Sequence, residues 1–257
     1  MFGHNESMNH DFNYIIEKIS SADIISHPYP HLEIKNFLSP EHIESILADE
    51  QIHFQQCNTT KELINTLIDK GYKAIGGAGV THNVNQYLNT NSGLGMGFSL
   101  DRPKGLLAIN LIKYFRSDTF WKCLKRKFDV QRNTRIKADI RKYLTGYEIS
   151  PHPDVREKAM TMLLNINAPE AEIVDVHTHV LVFKKEYEYM YEEWEKNTED
   201  QRKWVSWEWC ETKKTISENN TILIFPPGNR SLHAVKLDYD HLKFQRTQLY
   251  GNLWFAQ

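Results

Sequence analysis

Three cysteines in 257 residues, Cys57, Cys123 and Cys210, are too few and too far apart for a disulfide framework or a cysteine-rich zinc site. With 12 glycines and 9 prolines, the chain is neither collagen-like nor of low complexity. No apolar run approaches the roughly 18 residues of a membrane span. The opening MFGHNESMNHDFNY lacks the apolar centre of a secretory leader. An excess of either charge is also missing: 31 Lys and Arg stand against 33 Asp and Glu, a net charge of −2. No overall field therefore gathers nucleic acid or an anionic membrane. What remains is ordinary globular composition, 40% hydrophobic and 25% charged, enough for one sizeable core. The expectation is a soluble, cytoplasmic protein with a single domain spanning 1–257.

Helical periodicity dominates residues 1–130, which are expected to form a mostly helical support. In DFNYIIEKI, Phe12, Ile15, Ile16 and Ile19 fall on one stripe. HPYPHLEIKNFLSP is short and extended, and its closing Ser39-Pro40 is an N-cap followed by proline at the first helical position. Thr59 or Thr60 caps KELINTLIDK, which Gly71 stops. Residues 75–98 carry six glycines and read as a mobile loop or a lid. A helical pattern returns from Lys104 to Phe128.

Residues 131–257 read mainly as strand. IKADIRKYL, AMTMLLNIN, EIVDVHTHVLVF, TILIF, LHAVKL and FQRTQLYGNLWF are apolar-rich runs separated by turn residues. Successive strands without intervening helices argue against a doubly wound fold and for a sandwich or jelly-roll barrel packed on the N-terminal helices. The acidic, aromatic stretch between Lys185 and Glu211 reads as an inserted helix with a solvated face, with a partner-binding surface as the alternative. The basic KCLKRKFDVQRNTRIK follows a helical pattern, matches no nucleic-acid reading motif and is taken as a solvated helix face.

Among 12 histidines, the one in His152-Pro153-Asp154 stands out. Pro153 bars a helix and biases His152 to extended backbone. Residues two apart in an extended segment point the same way, so His152 and Asp154 can offer an imidazole and a carboxylate to one metal. His233, on a predicted strand just after Pro226-Pro227-Gly228, supplies a third ligand. Two histidines and one carboxylate make the facial triad that suits non-haem Fe(II) and leaves positions open for small molecules. Arg246 follows on the next strand, among apolar residues, where a guanidinium needs a planar anion. That anion is either the far carboxylate of a metal-bound dicarboxylate or a structural salt-bridge partner.

In this order, LTGYEISPHPD, TMLLNIN, ILIFPPGNRSLHAV and FQRTQLY resemble the Fe(II)- and 2-oxoglutarate-dependent oxygenases. The likeness is to the branch of prolyl-hydroxylase-like and small-molecule hydroxylases, and it covers about residues 135–257. HPYPHLEIKNFLSPEHIESIL is similar to the family's opening strand and helix, whereas residues 60–130 match nothing. The resemblance implies a mainly β fold with N-terminal helices around a double-stranded β-helix, a jelly-roll, cupin-like core. It implies that His152, Asp154 and His233 bind iron and that Arg246 holds the distal carboxylate of 2-oxoglutarate, with Tyr143 donating to the same group. Family members often place Ser or Thr two residues after the arginine; here Gln248 stands there, with an amide able to donate instead. The implied reaction uses O₂, converts 2-oxoglutarate to succinate and CO₂, and hydroxylates an unactivated C–H bond. Asp154 points the same way, because halogenating relatives carry Ala or Gly at that position.

The implied substrate is a small molecule, an amino acid or a biosynthetic intermediate, with no nucleic acid or membrane as partner. A protein side chain, of prolyl type, is the alternative substrate. A non-catalytic jelly-roll module with a vestigial site is the rival of another class. His177-Thr178-His179, with Asp175 nearby, is a competing metal motif but lacks a third histidine. It reads better as a partly exposed strand face, one that could line a substrate cavity. No cysteine has an activating context and no Gly-x-Ser-x-Gly elbow occurs. Arg156 and Lys158 are taken as surface charges unless they meet an anionic group. Trp204, Trp207 and Trp209 either line a pocket or pack the core.

Overall fold

The computed structural model describes residues 12–75, 92–169, 175–199 and 202–256. Helix α1 (Asn13–Ser21) buries Ile15 and Ile19 of the predicted stripe. Helix α2 (Pro40–Leu47) begins where Ser39 Oγ accepts the His42 N–H, with Pro40 next in the chain. Helix α3 (Thr60–Asp69) is capped by Thr59, not Thr60, through the Glu62 N–H. Gly71 ends it at φ +92°, a left-handed backbone that favours glycine. The pattern from Lys104 to Phe128 is two helices, α4 (Leu106–Phe115) and α5 (Asp118–Lys127). They break at Ser117, which caps α5 through the Phe120 N–H. Lys125, Arg126 and Lys127 close α5, where cations offset the helix dipole.

Strands β1 (Leu32–Ile34), β2 (Lys73–Ile75), β3 (Ser92–Leu94) and β4 (Gly97–Leu100) come from the first half. The glycine-rich region expected as loop or lid thus contributes strands at both ends, and residues 76–91 lie outside the described residues. Strands β5 (Thr134–Tyr143), β6 (Glu148–His152), β7 (Lys158–Asn165) and β8 (Thr178–Phe183) follow. Helix α6 (Tyr189–Lys196) is the predicted acidic insertion, anchored by buried Tyr191 and Trp194. The chain ends in β9 (Cys210–Ile216), β10 (Ile222–Phe225), β11 (His233–Lys236) and β12 (Arg246–Phe255).

All pairings among the described strands are antiparallel. The larger sheet runs β1-β10-β7-β12-β5-β4-β2, the smaller β3-β6-β11-β8-β9. From β5 onward the chain alternates between the two sheets except at the β8–β9 hairpin, whose strands both lie in the smaller one, giving β10-β7-β12-β5 facing β6-β11-β8-β9. This is the double-stranded β-helix that the sequence led us to expect.

Strand β12 shows how one sequence serves both faces of the larger sheet. Successive strand residues point to opposite sides. Arg246, Gln248, Tyr250, Asn252 and Trp254 border an internal cavity. Leu249 and Leu253 go the other way, into the main core beneath the helices, with Phe115, Phe120, Trp121 and Ile140. Trp121 Nε1 donates to the Phe115 carbonyl at 2.6 Å, so its polar edge is satisfied within that core. Cys57, Cys123 and Cys210 are buried and unpaired with one another.

Candidate metal centre and its cavity

His152 ends β6 and His233 begins β11, and these two residues face each other across the antiparallel ladder. Their ring centroids are 4.4 Å apart. Asp154 follows the Pro153 step and completes the group: His152 Nε2 lies 3.9 Å from Asp154 Oδ1, and His233 Nε2 lies 3.8 Å from Asp154 Oδ2. Ligand atoms from the three residues all lie within 4.8 Å of one another. Among the described residues no other His, Cys, Asp and Glu group has that geometry.

The ring nitrogens are already assigned by their partners. His152 Nδ1 meets the Ser150 carbonyl at 2.8 Å, and His233 Nδ1 meets the Ser231 carbonyl at 3.0 Å. A carbonyl only accepts, so each Nδ1 carries the proton and each Nε2 keeps its lone pair. Ser231 is itself fixed by the Pro-Pro-Gly turn, its Oγ bonding both the N–H and the carbonyl of Gly228 at 2.9 Å. Burial lowers the pKa of both imidazoles, that of His152 to about 3 with His233 adding to the effect. Both rings are therefore neutral near pH 7, as metal ligation requires.

Burial alone would disfavour an ionised Asp154, but Lys158, His233 and His152 outweigh it and hold the carboxyl below its usual range. Lys158 Nζ donates to Asp154 Oδ1 at 2.6 Å and to the Tyr250 hydroxyl at 3.1 Å. Thr161 Oγ1 donates to Asp154 Oδ2. Lys158 is thus buried beside the triad, and its reading as a surface charge is wrong: the turn after Asp154 folds β7 back under the carboxylate. Arg156 does lie elsewhere, donating to the Trp194 carbonyl.

The triad opens into a cavity of about 350 Å³ between the sheets. Arg246 borders it and is 1% exposed. Its Nε donates to the Val176 carbonyl at 2.9 Å and a terminal nitrogen to Thr178 Oγ1 at 2.8 Å. Burial lowers its pKa, and the groups that favour its charge are the tyrosines 143, 147 and 239, with no carboxylate among them. The salt-bridge alternative for Arg246 therefore has no partner among the described residues, and a buried guanidinium facing a cavity calls for an anionic ligand. Tyr143 stands opposite Arg246 in the β5–β12 ladder, its ring 5.2 Å from the guanidinium.

Gln248 also borders the cavity, but its Nε2 donates to Asn165 Oδ1 at 2.8 Å, which commits one of its two N–H groups. The hydroxyl beside Arg246 is instead Thr178, from the opposite sheet. Thr178 is the middle residue of the His-Thr-His motif, and strand alternation sends His177 and His179 away from the cavity that Thr178 borders. His179 there bonds Thr212 Oγ1 at 3.0 Å and packs edge-on against Trp207. Trp204 does border the cavity, whereas Trp207 and Trp209 pack around the α6 insertion.

No family model and no curated protein matches the sequence. Among solved structures, a Pseudomonas putida prolyl-4-hydroxylase aligns over 95% of this chain and 98% of its own, at 8% identity and a TM-score of 0.50. A Trichoplax adhaerens prolyl hydroxylase, in complex with a hypoxia inducible factor oxygen degradation domain peptide fragment, aligns over 95% of this chain and 88% of its own. Its identity is 15% and its TM-score 0.47. The likeness to the bacterial enzyme is one of fold. None of the described helices is long and apolar enough to cross a membrane.

Proposed function

We propose that this chain is an Fe(II)- and 2-oxoglutarate-dependent oxygenase that hydroxylates a C–H bond of a small molecule. One observation carries the reading: a two-histidine, one-carboxylate triad and a buried arginine without a carboxylate partner share one cavity inside a double-stranded β-helix. His152, Asp154 and His233 would hold Fe(II), and Arg246 with Thr178 and Tyr143 would receive the distal carboxylate of 2-oxoglutarate.

When bound, these groups and O₂ supply the oxidising chemistry, with 2-oxoglutarate leaving as succinate and CO₂. The protein's own contribution is placement. The carbonyls of Ser150 and Ser231 fix both imidazole orientations, and Lys158 and Thr161 hold the two oxygens of Asp154. The cavity lies between the two sheets, where a charged contact is stronger than in bulk water. An amino acid or a biosynthetic intermediate fits a cavity of this size.

The test is an anaerobic titration of the protein with Fe(II) and then 2-oxoglutarate, followed by visible absorption. A weak charge-transfer band that needs both additions is expected. It should disappear in Asp154→Ala and require much more 2-oxoglutarate in Arg246→Ala. Well-folded protein that gives no band would overturn the assignment and leave a ligand-binding jelly roll.

A further inference from the structure

The cavity carries more positive charge than the proposed cofactors use. Five cationic side chains border it: Lys137, Arg141, Lys158, Arg202 and Arg246. Asp154 matches Lys158, and Asp139 Oδ2 matches Arg141 Nε at 3.1 Å. Asp154 is the one carboxylate that borders the cavity among the described residues. Fe(II) and the 2-oxoglutarate dianion would enter with equal and opposite charges and leave the surplus where it was. Unmatched charge bordering a cavity between two sheets is costly, so a second anion is called for.

Its place is set by Arg141, which Asp139 engages at Nε and not at its terminal nitrogens, and which stands on the same strand face as Lys137. The guanidinium lies over the Tyr250 ring, its carbon 3.6 Å from the ring centroid, and Asp139 grips its Nε. This pre-orients the planar fork that binds carboxylates through two parallel bonds. Arg141 sits opposite Gln248 in the ladder and Lys137 opposite Asn252, both on the cavity face of β5. Arg141 is half-buried and Lys137 exposed, so the pair runs from inside the cavity to its rim. Tyr250, Trp254 and Trp204 add half-buried aromatic surface. Trp204 Nε1 is buried without a hydrogen-bond partner, and an indole N–H can only donate. An acceptor is missing there too.

We propose that the substrate is a carboxylate on an apolar body, its carboxylate clamped by Arg141 with Lys137 and its body lying against these rings. That the bound carboxylate is the substrate rests on the oxygenase reading; the anion site follows from the side chains themselves.

The experiment is calorimetric titration of the full chain with hexanoate, benzoate and phenylacetate, each beside its primary amide. It is run anaerobically, both with Fe(II) and 2-oxoglutarate bound and without them. At least one carboxylate should bind about tenfold or more tighter than its amide, a difference of about 1.4 kcal/mol. Arg141→Gln should abolish that preference and Arg141→Lys restore part of it. Lys137→Gln, at the exposed rim, should weaken the preference about threefold without touching the fold, as expected of a partly screened charge. A parallel titration with 2-oxoglutarate on the Fe(II)-loaded protein should respond strongly to Arg246→Gln and little to Arg141→Gln. Equal affinity for carboxylate and amide across the set, including binding of neither, overturns the proposal, as does a preference that survives Arg141→Gln. Should the 2-oxoglutarate arm fail while the carboxylate arm holds, the oxygenase reading falls and the anion site stands.

Discussion

The two faces of the larger sheet each bury a lysine, and the lysines live under opposite rules. On the cavity face, Lys158 meets Asp154 at 2.6 Å, and although burial opposes its charge, Asp154 raises its pKa above the usual lysine range. Under the helices, Lys142 is 1% exposed, with its Nζ 2.9 Å from Thr247 Oγ1 and within 6 Å of the Phe54 and Tyr72 ring centroids. Burial, and secondarily Lys70, lowers its pKa to about 7. Identical side chains in one sheet are thus a committed cation on one face and a half-ionised amine on the other. The cavity face spends stability on fixed charge, as ligand sites do, while the helical face gains its stability from apolar packing.

The sharpest way to break this comparison is to remove the carboxylate. Asp154→Asn should abolish Fe(II) binding and also destabilise the fold by about 3–5 kcal/mol, because Lys158 is left buried without its counter-charge. Adding Lys158→Met should recover most of that stability and none of the metal binding. Urea unfolding alongside Fe(II) titration separates the two. If the double variant stays as unstable as the single one, the cost does not lie in the stranded ammonium.

A smaller effect of opposite sign is expected on the other face. Lys142→Met removes a desolvated amine and should stabilise the protein at pH 7 by about 1–4 kcal/mol, as replacements of buried charge by apolar groups do. Thr247 Oγ1 still donates to the Gln245 carbonyl at 2.7 Å, so its hydroxyl is not orphaned. The sign with pH follows from linkage. With a folded pKa of about 7 against an ordinary value of about 10.4, the unfolded chain holds more protons across that interval. Below about pH 7 the wild-type protein bears the full cost of the buried ammonium, and it gains stability as pH rises through the window. The advantage of Lys142→Met should therefore be greatest at or below pH 7 and fade towards pH 10. A difference between the two proteins that does not change with pH would show that Lys142 is not titrating.

The fold and the triad were legible because each rests on a local rule. Strand alternation aligned His152 with Asp154, the Pro-Pro-Gly turn announced the strand bearing His233, and the Ser39 cap marked α2. What was missed depends on distant segments meeting. Lys158 looked like a surface charge because nothing in its neighbours says that β7 returns beneath Asp154. His177 and His179 drew notice as histidines, yet alternation gives the cavity to Thr178 between them. Strand β9 escaped because its five central residues, Glu211 to Thr215, are all exposed and polar, a pattern of an edge strand protected by charge rather than of a half-buried one.

The smallest expected effect asks whether the two faces are independent at all. Ser39→Ala deletes the hydroxyl that accepts the His42 N–H at 3.3 Å, a half-buried cap at the start of α2. Loss of such a cap costs about 1 kcal/mol. Helix α2 packs through buried Ile46 into the core under the sheet, and the path from there to the triad crosses the backbone of β12 or β7. If packing stability and ligand geometry are separate properties of the two faces, Ser39→Ala lowers the urea midpoint while the affinities for Fe(II) and 2-oxoglutarate stay within about twofold, because the cap energy is lost equally from free and bound protein. A larger loss of affinity at full folding would mean that helix placement tunes the cavity through the shared strands. The lysine contrast would then describe one coupled structure rather than two faces with different duties.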